Sequence, residues 1–233
     1  MFFLWLNIDS GLLMLVIFFL ILIFDRKNFQ VEIQNIRLIV LAAILIAIAV
    51  ALNTIPKLIF NYPVFEVKLG NFALVLIGFF CGGILGFLSG VAADFLGLII
   101  FSSATPALFW TLTSILWCIL PYYLVKLLSK IYVRNWIIYF YLVFAYAVTL
   151  LSITVSNPIV LKYMYNLHDG WWVLYFPRII KYPFDIAMNG LSLVMVYRIF
   201  TKSVSLRSKI YQPQKHQISE WNFKFESEDN ISD

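Results

Sequence analysis

The chain reads as an all-α polytopic membrane protein: a six-helix transmembrane bundle preceded by one extra N-terminal transmembrane helix. Three observations predict this. Of the 233 residues, 62% are hydrophobic and 12% charged, with a mean hydropathy of +0.89, whereas soluble domains average about 45–50% apolar and about 25% charged residues. The apolar residues fall in runs near the roughly 20 residues that cross about 30 Å of hydrocarbon. The basic residues behind the net charge of +5 cluster between those runs and form no continuous stripe, which suits membrane orientation better than nucleic-acid binding.

The first run is Phe2 to Phe24, interrupted early by Asn7 and Asp9, so its well-formed part starts at Gly11. It has no basic leader or small-residue cleavage site and reads as a retained helix. Leu38 to Leu52 follows, stopped by Asn53, Thr54 and Pro56. Gly70 to Phe101 stays apolar too long for one straight span, and Gly82-Gly83 is the expected break into two short helices or a re-entrant pair. Ala107 to Leu128 is the next span. Trp136 to Ser156 ends at Asn157-Pro158, because proline disfavours helix in the residue before it. Ile159 to Tyr182 is mixed and aromatic, and Phe184 to Phe200 is the last span.

The expected organisation is an extra helix and loop over 1–34, a membrane domain over 35–202 and a polar, mobile tail over 203–233. If the loop with Arg26, Lys27 and Arg37 is cytoplasmic, then Lys126, Lys130 and Arg134 and the tail share its side only when Gly70–Phe101 crosses twice. This predicts a multi-pass protein of the cell membrane, with a cytoplasmic C-terminal tail and an extracellular N-terminus.

Several patterns invite function. Ala43, Ala47 and Ala51 share one helix face and suit close helix contact, within the bundle or with a partner. Gly78, Gly82, Gly86 and Gly90 form a similar series. Asp94 is a carboxylate deep in an apolar run, expected to face the interior, a cavity or a cation such as Arg178 or Lys181. The 102–113 segment with Phe109 and Trp110, together with Asn157, Trp171, Trp172, Tyr175, Arg178 and Lys181, offers aromatic planes, hydrogen-bonding groups and cations. A flat, polar-edged ligand with an anionic tail suits that set; an interfacial aromatic belt accounts for Trp171 and Trp172 alone.

Catalysis finds little support. There is no phosphate-cradling glycine loop ending in Gly-Lys-Ser/Thr. Ser89 lacks a base nearby in sequence, since His168 and His216 lie in a predicted loop and the tail. Cys81 and Cys118 read as buried packing residues, and no metal or cofactor is expected.

Residues 37 to 198 resemble the substrate-capture (S) components of energy-coupling factor vitamin importers. Arg37 through Ala43 and Ala47 is similar to the first helix of that family, whose alanine strip docks on a transmembrane coupling subunit. Val67-Lys68-Leu69-Gly70, leading through Gly82, Gly86 and Gly90 to Asp94-Phe95-Leu96-Gly97, is similar to its second and third helices. The folate-type members are most similar, through Phe101 to Thr105, Phe109 to Ser114, and Phe176-Pro177-Arg178 to Pro183. Gly82-Gly83 departs from the family's glycine-proline, and Thr105-Pro106-Ala107 from its aromatic-proline-glycine.

The resemblance implies a non-enzymatic binding subunit that captures a vitamin outside and delivers it inward with a coupling subunit and two ATP-binding-cassette ATPases. Under the folate reading, Asp94 or Asn157 reads the polar edge of a pterin. Phe109 and Trp110 stack on it, and Lys68 and Arg178 attract the glutamate carboxylates, with Asn71 and Lys181 completing the set. Ala43, Ala47 and Ala51 are the docking candidates. Open alternatives are another vitamin (riboflavin, pantothenate, nicotinate or a thiamin precursor) and a cell-envelope scaffold without a transported ligand.

Overall fold

The computed structural model describes residues 2–26, 32–59, 68–100, 107–129, 137–164 and 170–202. Seven helices longer than a single turn occupy them: α1 (Phe2–Phe24), α2 (Ile36–Ile59), α3 (Asn71–Cys81), α4 (Gly83–Ile100), α5 (Leu108–Ser129), α6 (Ile137–Met164) and α7 (Trp171–Lys202). All but α3 are long and apolar enough to cross a membrane, so the architecture is that of a multi-pass helical bundle. The expected 102–106 loop segment, the 203–233 tail, Lys27, Lys130 and Arg134 lie outside the described residues.

The long apolar run breaks where the paired glycines fall. Gly82 adopts φ 95°, a conformation costly for any residue with a Cβ. A Cβ built on Gly86 would lie 3.5 Å from Gly78 Cα; eight positions along one straight helix would separate them by about 12 Å. The chain therefore reverses at Gly82. The two arms are unequal, however. α3 has 11 residues, about 16 Å at 1.5 Å per residue, and does not span hydrocarbon alone.

Contacts at the helix ends define an up-and-down order. At one end Asn7 Oδ1 accepts the Leu108 N–H (2.8 Å), and the Tyr175 hydroxyl donates to the Val155 carbonyl (3.0 Å). At the other, the Gly82 end, Cys81 Sγ reaches the Leu38 carbonyl (3.6 Å) and Tyr197 packs its ring on Phe79, Phe80 and Tyr139. Every residue of α3 except Phe79 is buried. It sits at the centre, against α2, α4, α5 and α7, while α1 packs on α4 and α5. Large apolar side chains on the outside, such as Phe19, Ile23, Ile99 and Trp172, form the surface a lipid solvent requires.

Three boundaries differ from the sequence expectation. α2 continues through Pro56 to Ile59. α6 continues through Pro158 to Met164, and α7 takes in the mixed segment, carrying both Pro177 and Pro183 internally. Interior proline removes one ladder hydrogen bond, but neighbouring helices and side chains in a bundle can offset the loss. Beside Pro177, Arg178 Nη1 donates to the Leu174 carbonyl at 2.6 Å. Further along α7, the Tyr182 hydroxyl donates across to the Ala147 carbonyl of α6 at 2.7 Å.

Candidate ligand-binding site

The short central helix begins inside the bundle, and polar side chains gather at its head. Its N-cap residue is Gly70, which has no side chain to satisfy the first turn. Gly70 instead donates its N–H to Asn53 Oδ1 (2.8 Å), and Asn53 Nδ2 approaches Asn71 Oδ1 (3.4 Å). A Cβ at Gly70 would overlap the Ala49 carbonyl, so glycine here permits α2 and the head of α3 to touch.

From α7, Asn189 Nδ2 donates to the Lys68 carbonyl (3.2 Å) and to the Asp185 carbonyl (3.3 Å). One turn earlier Asp185 pairs with Lys181 at 3.4 Å. Tyr146 of α6 is fully buried at the same level, since a Cβ at Gly190 would lie 3.5 Å from Val143 and the Tyr182 hydroxyl reaches the Ala147 carbonyl. Asn189 lies about 12 Å along the helix axis from Tyr197, which marks the Gly82 end. The cluster therefore sits near mid-depth of the bundle, where polar groups are costly and commonly functional.

Of the sequence-derived candidates, Lys68, Asn71 and Lys181 join this cluster. Asp94 of α4 accepts a hydrogen bond at Oδ2 from the Thr111 hydroxyl of α5, at 2.6 Å. Phe109 is buried and Trp110 half-buried beside Asp94, their rings 5.2 Å apart and inclined at 70°, so they meet edge to face. Asn157 is on α6 with a buried Oδ1 that has no hydrogen-bond partner. Arg178 lies near the outer start of α7, by the Tyr175–Val155 contact. The Lys162 ammonium stands 4.2 Å from the Trp171 ring centroid there.

Ala43, Ala47 and Ala51 are all exposed, on the face of α2 opposite buried Leu38, Leu45 and Ala49. Among the described residues their strip packs against no other helix. The glycine series, in contrast, is mostly internal. A Cβ at Gly78 would overlap the Cys118 carbonyl, and one at Gly90 would come within 2.6 Å of Ile115 Cα.

Sequence reasoning missed Asn53, Tyr146, Asp185 and Asn189. The last two carried a usable signal, two polar residues four apart within an apolar span. It also missed two buried carboxylates at the Gly82 end. Asp25 accepts from Tyr123 (2.7 Å), Tyr122 (3.3 Å) and Lys126 (2.7 Å). Glu32 Oε2 accepts the N–H groups of Ile84 (3.1 Å) and Leu85 (3.2 Å). Among the described residues, no group of three His, Cys, Asp or Glu side chains is arranged to hold a metal. No protein-family model matches the chain, and neither a curated protein nor a solved structure matches it significantly.

Proposed function

We propose that the chain is the membrane-embedded substrate-binding subunit, an S component, of an energy-coupling factor importer, with a vitamin of the folate type as ligand. The observation that carries this reading is the polar cluster of Asn53, Lys68, Asn71, Tyr146, Asp185 and Asn189 at the head of a half-length helix. Helix ends buried at mid-depth and flanked by polar side chains are what ligand-binding membrane proteins use, since the positive end of the helix favours an anionic group. Lys68 and Arg178 supply cations for the carboxylates of the ligand, and Asn157 offers its unpartnered oxygen.

Two further features support the reading. The exposed Ala43–Ala47–Ala51 strip, flanked by exposed Val40 and Ile44, offers small residues against which a partner helix could dock. The Gly82 end carries Arg26, Arg37, Lys126, Arg198 and Lys202, and a cytoplasmic position for that end agrees with the positive-inside rule.

The test is purification in mild detergent, mass spectrometry of any small molecule retained, and identification of co-purifying proteins. A pterin or folate, with a coupling subunit and two ATPases, is the expected result. Recovery of neither ligand nor ATPases, after supplying a panel of vitamins, overturns the reading.

A further inference from the structure

Two fully shielded polar atoms in the central cluster have no hydrogen-bond partner: the Tyr146 hydroxyl and Asn189 Oδ1. Tyr146 is 0% exposed and Asn189 1%. Buried polar atoms are satisfied in the great majority of cases, and the cost of leaving one unmade is high where water is excluded. The orientation of the Asn189 amide follows from its surroundings. Both groups it meets through Nδ2, the Lys68 and Asp185 carbonyls, are acceptors, so the nitrogen belongs there and the oxygen is the atom presented.

Asp185 lies one turn from Asn189, and Tyr146 of α6 is level with both, between the Val143–Gly190 and Ala147–Tyr182 contacts of α6 with α7. Its side chain retains 13% exposure, so the carboxylate is the member of the three that reaches the surface. The presented groups are therefore a carboxylate, an amide oxygen and a hydroxyl: acceptors, with the hydroxyl able to serve either way. A metal cation is a poor match, because the Lys181 ammonium already pairs with the carboxylate at 3.4 Å. A planar ring whose edge carries adjacent N–H donors is a good one. A carboxylate receives two neighbouring N–H groups side by side, and a site built to bond such donors rejects rings lacking them.

We infer that Tyr146, Asp185 and Asn189 form the specificity-determining subsite of this chain, reading the donor edge of a flat amino-substituted heterocycle. The inference deepens the vitamin-binding reading and rests on it.

The experiment compares the full-length protein with Tyr146→Phe and Asn189→Leu, measuring unfolding temperature without ligand and affinity for two probes, 2-amino-4-oxopteridine and folic acid. Removing an unpartnered hydroxyl leaves the ligand-free unfolding temperature unchanged or raises it. Tyr146→Phe is expected to weaken both probes by about tenfold, one lost hydrogen bond's worth, and Asn189→Leu by at least as much. Equal loss for the two probes places the subsite at the ring, which they share. Full affinity in both variants overturns the inference while leaving the vitamin reading intact. A loss confined to folic acid overturns it too, because the residues would then serve the tail. Failure of the wild-type protein to bind either probe removes the inference together with the folate assignment.

Discussion

Lys126 and Asp25 stand 101 positions apart in the chain, yet Lys126 Nζ lies 2.7 Å from Asp25 Oδ1. The carboxylate side chain is wholly shielded and the lysine side chain 23% exposed. The Tyr122 and Tyr123 hydroxyls complete the carboxylate's partners, so the end of α1 is fastened to α5 through charge.

Removing one member of such a pair leaves the other without its partner in a poor solvent. Asp25→Ala is expected to destabilise the detergent-solubilised protein by about 3 kcal/mol. The double variant Asp25→Leu with Lys126→Leu should recover most of that loss, because replacing both partners by apolar groups is often neutral. Unfolding curves of the two single leucine variants and the double variant measure the coupling. Additive effects would show that the pair does not fasten the helices.

Glu32 acts as a cap from a distance. It accepts two N–H groups in the first turn of α4, where the preceding Gly82 has no side chain to do so. Glu32→Ala is expected to cost about 1–2 kcal/mol, and Glu32→Gln less, since Gln keeps one acceptor oxygen but loses the charge favoured at a helix N-terminus. Amide exchange at Ile84 and Leu85 should quicken more in the alanine variant than in the glutamine variant.

The glycines of α4 are not equivalent. A methyl group at Gly97 would meet nothing within 4 Å, whereas one at Gly90 would press on the Ile115 backbone. Gly97→Ala should stabilise by about 0.5–1 kcal/mol through helix propensity. Gly90→Ala should destabilise by about 1–3 kcal/mol because backbone cannot yield as a side chain can. Parallel thermal unfolding of both variants checks the opposite signs.

Ala47→Leu places a bulky side chain on an exposed face. Stability should change by less than about 0.5 kcal/mol, while recovery of a coupling subunit in a pull-down should fall sharply. Unchanged recovery would separate the alanine strip from docking.

Lys68→Ala and Arg178→Ala should each weaken folic acid binding while affecting 2-amino-4-oxopteridine little, because the ring has no carboxylate tail. A loss of about tenfold corresponds to about 1.4 kcal/mol, close to the range of a charge-assisted hydrogen bond. Equal affinities for wild type and variants would remove the anionic-tail role from both residues.

Much of the membrane architecture is legible in the chain because its signals are local. Gly82-Gly83 marks a reversal since only glycine accepts φ 95° there without strain. The prolines at 56 and 158 misled, ending helices in the sequence reading that the structure continues through both, because the groups that offset a lost hydrogen bond come from other parts of the fold. Lys68, Asn71 and Lys181 stood out as polar residues beside predicted loops. Tyr146 did not, since a tyrosine in an apolar run carries no sign of which way it faces.

Composition and the length of the apolar runs by themselves determined that this protein is helical, that its solvent is lipid and where its long helices fall. Only the tertiary structure decided which polar groups meet. Helices apolar on every side carry no stripe to fix their rotation about the axis, so neither the outward face of Ala43, Ala47 and Ala51 nor the convergence of Asn53, Asn71, Tyr146 and Asn189 can be read along the sequence. Their positions follow from how α2, α3, α6 and α7 close around one another, where each buried polar atom must find a partner or be left to bind one.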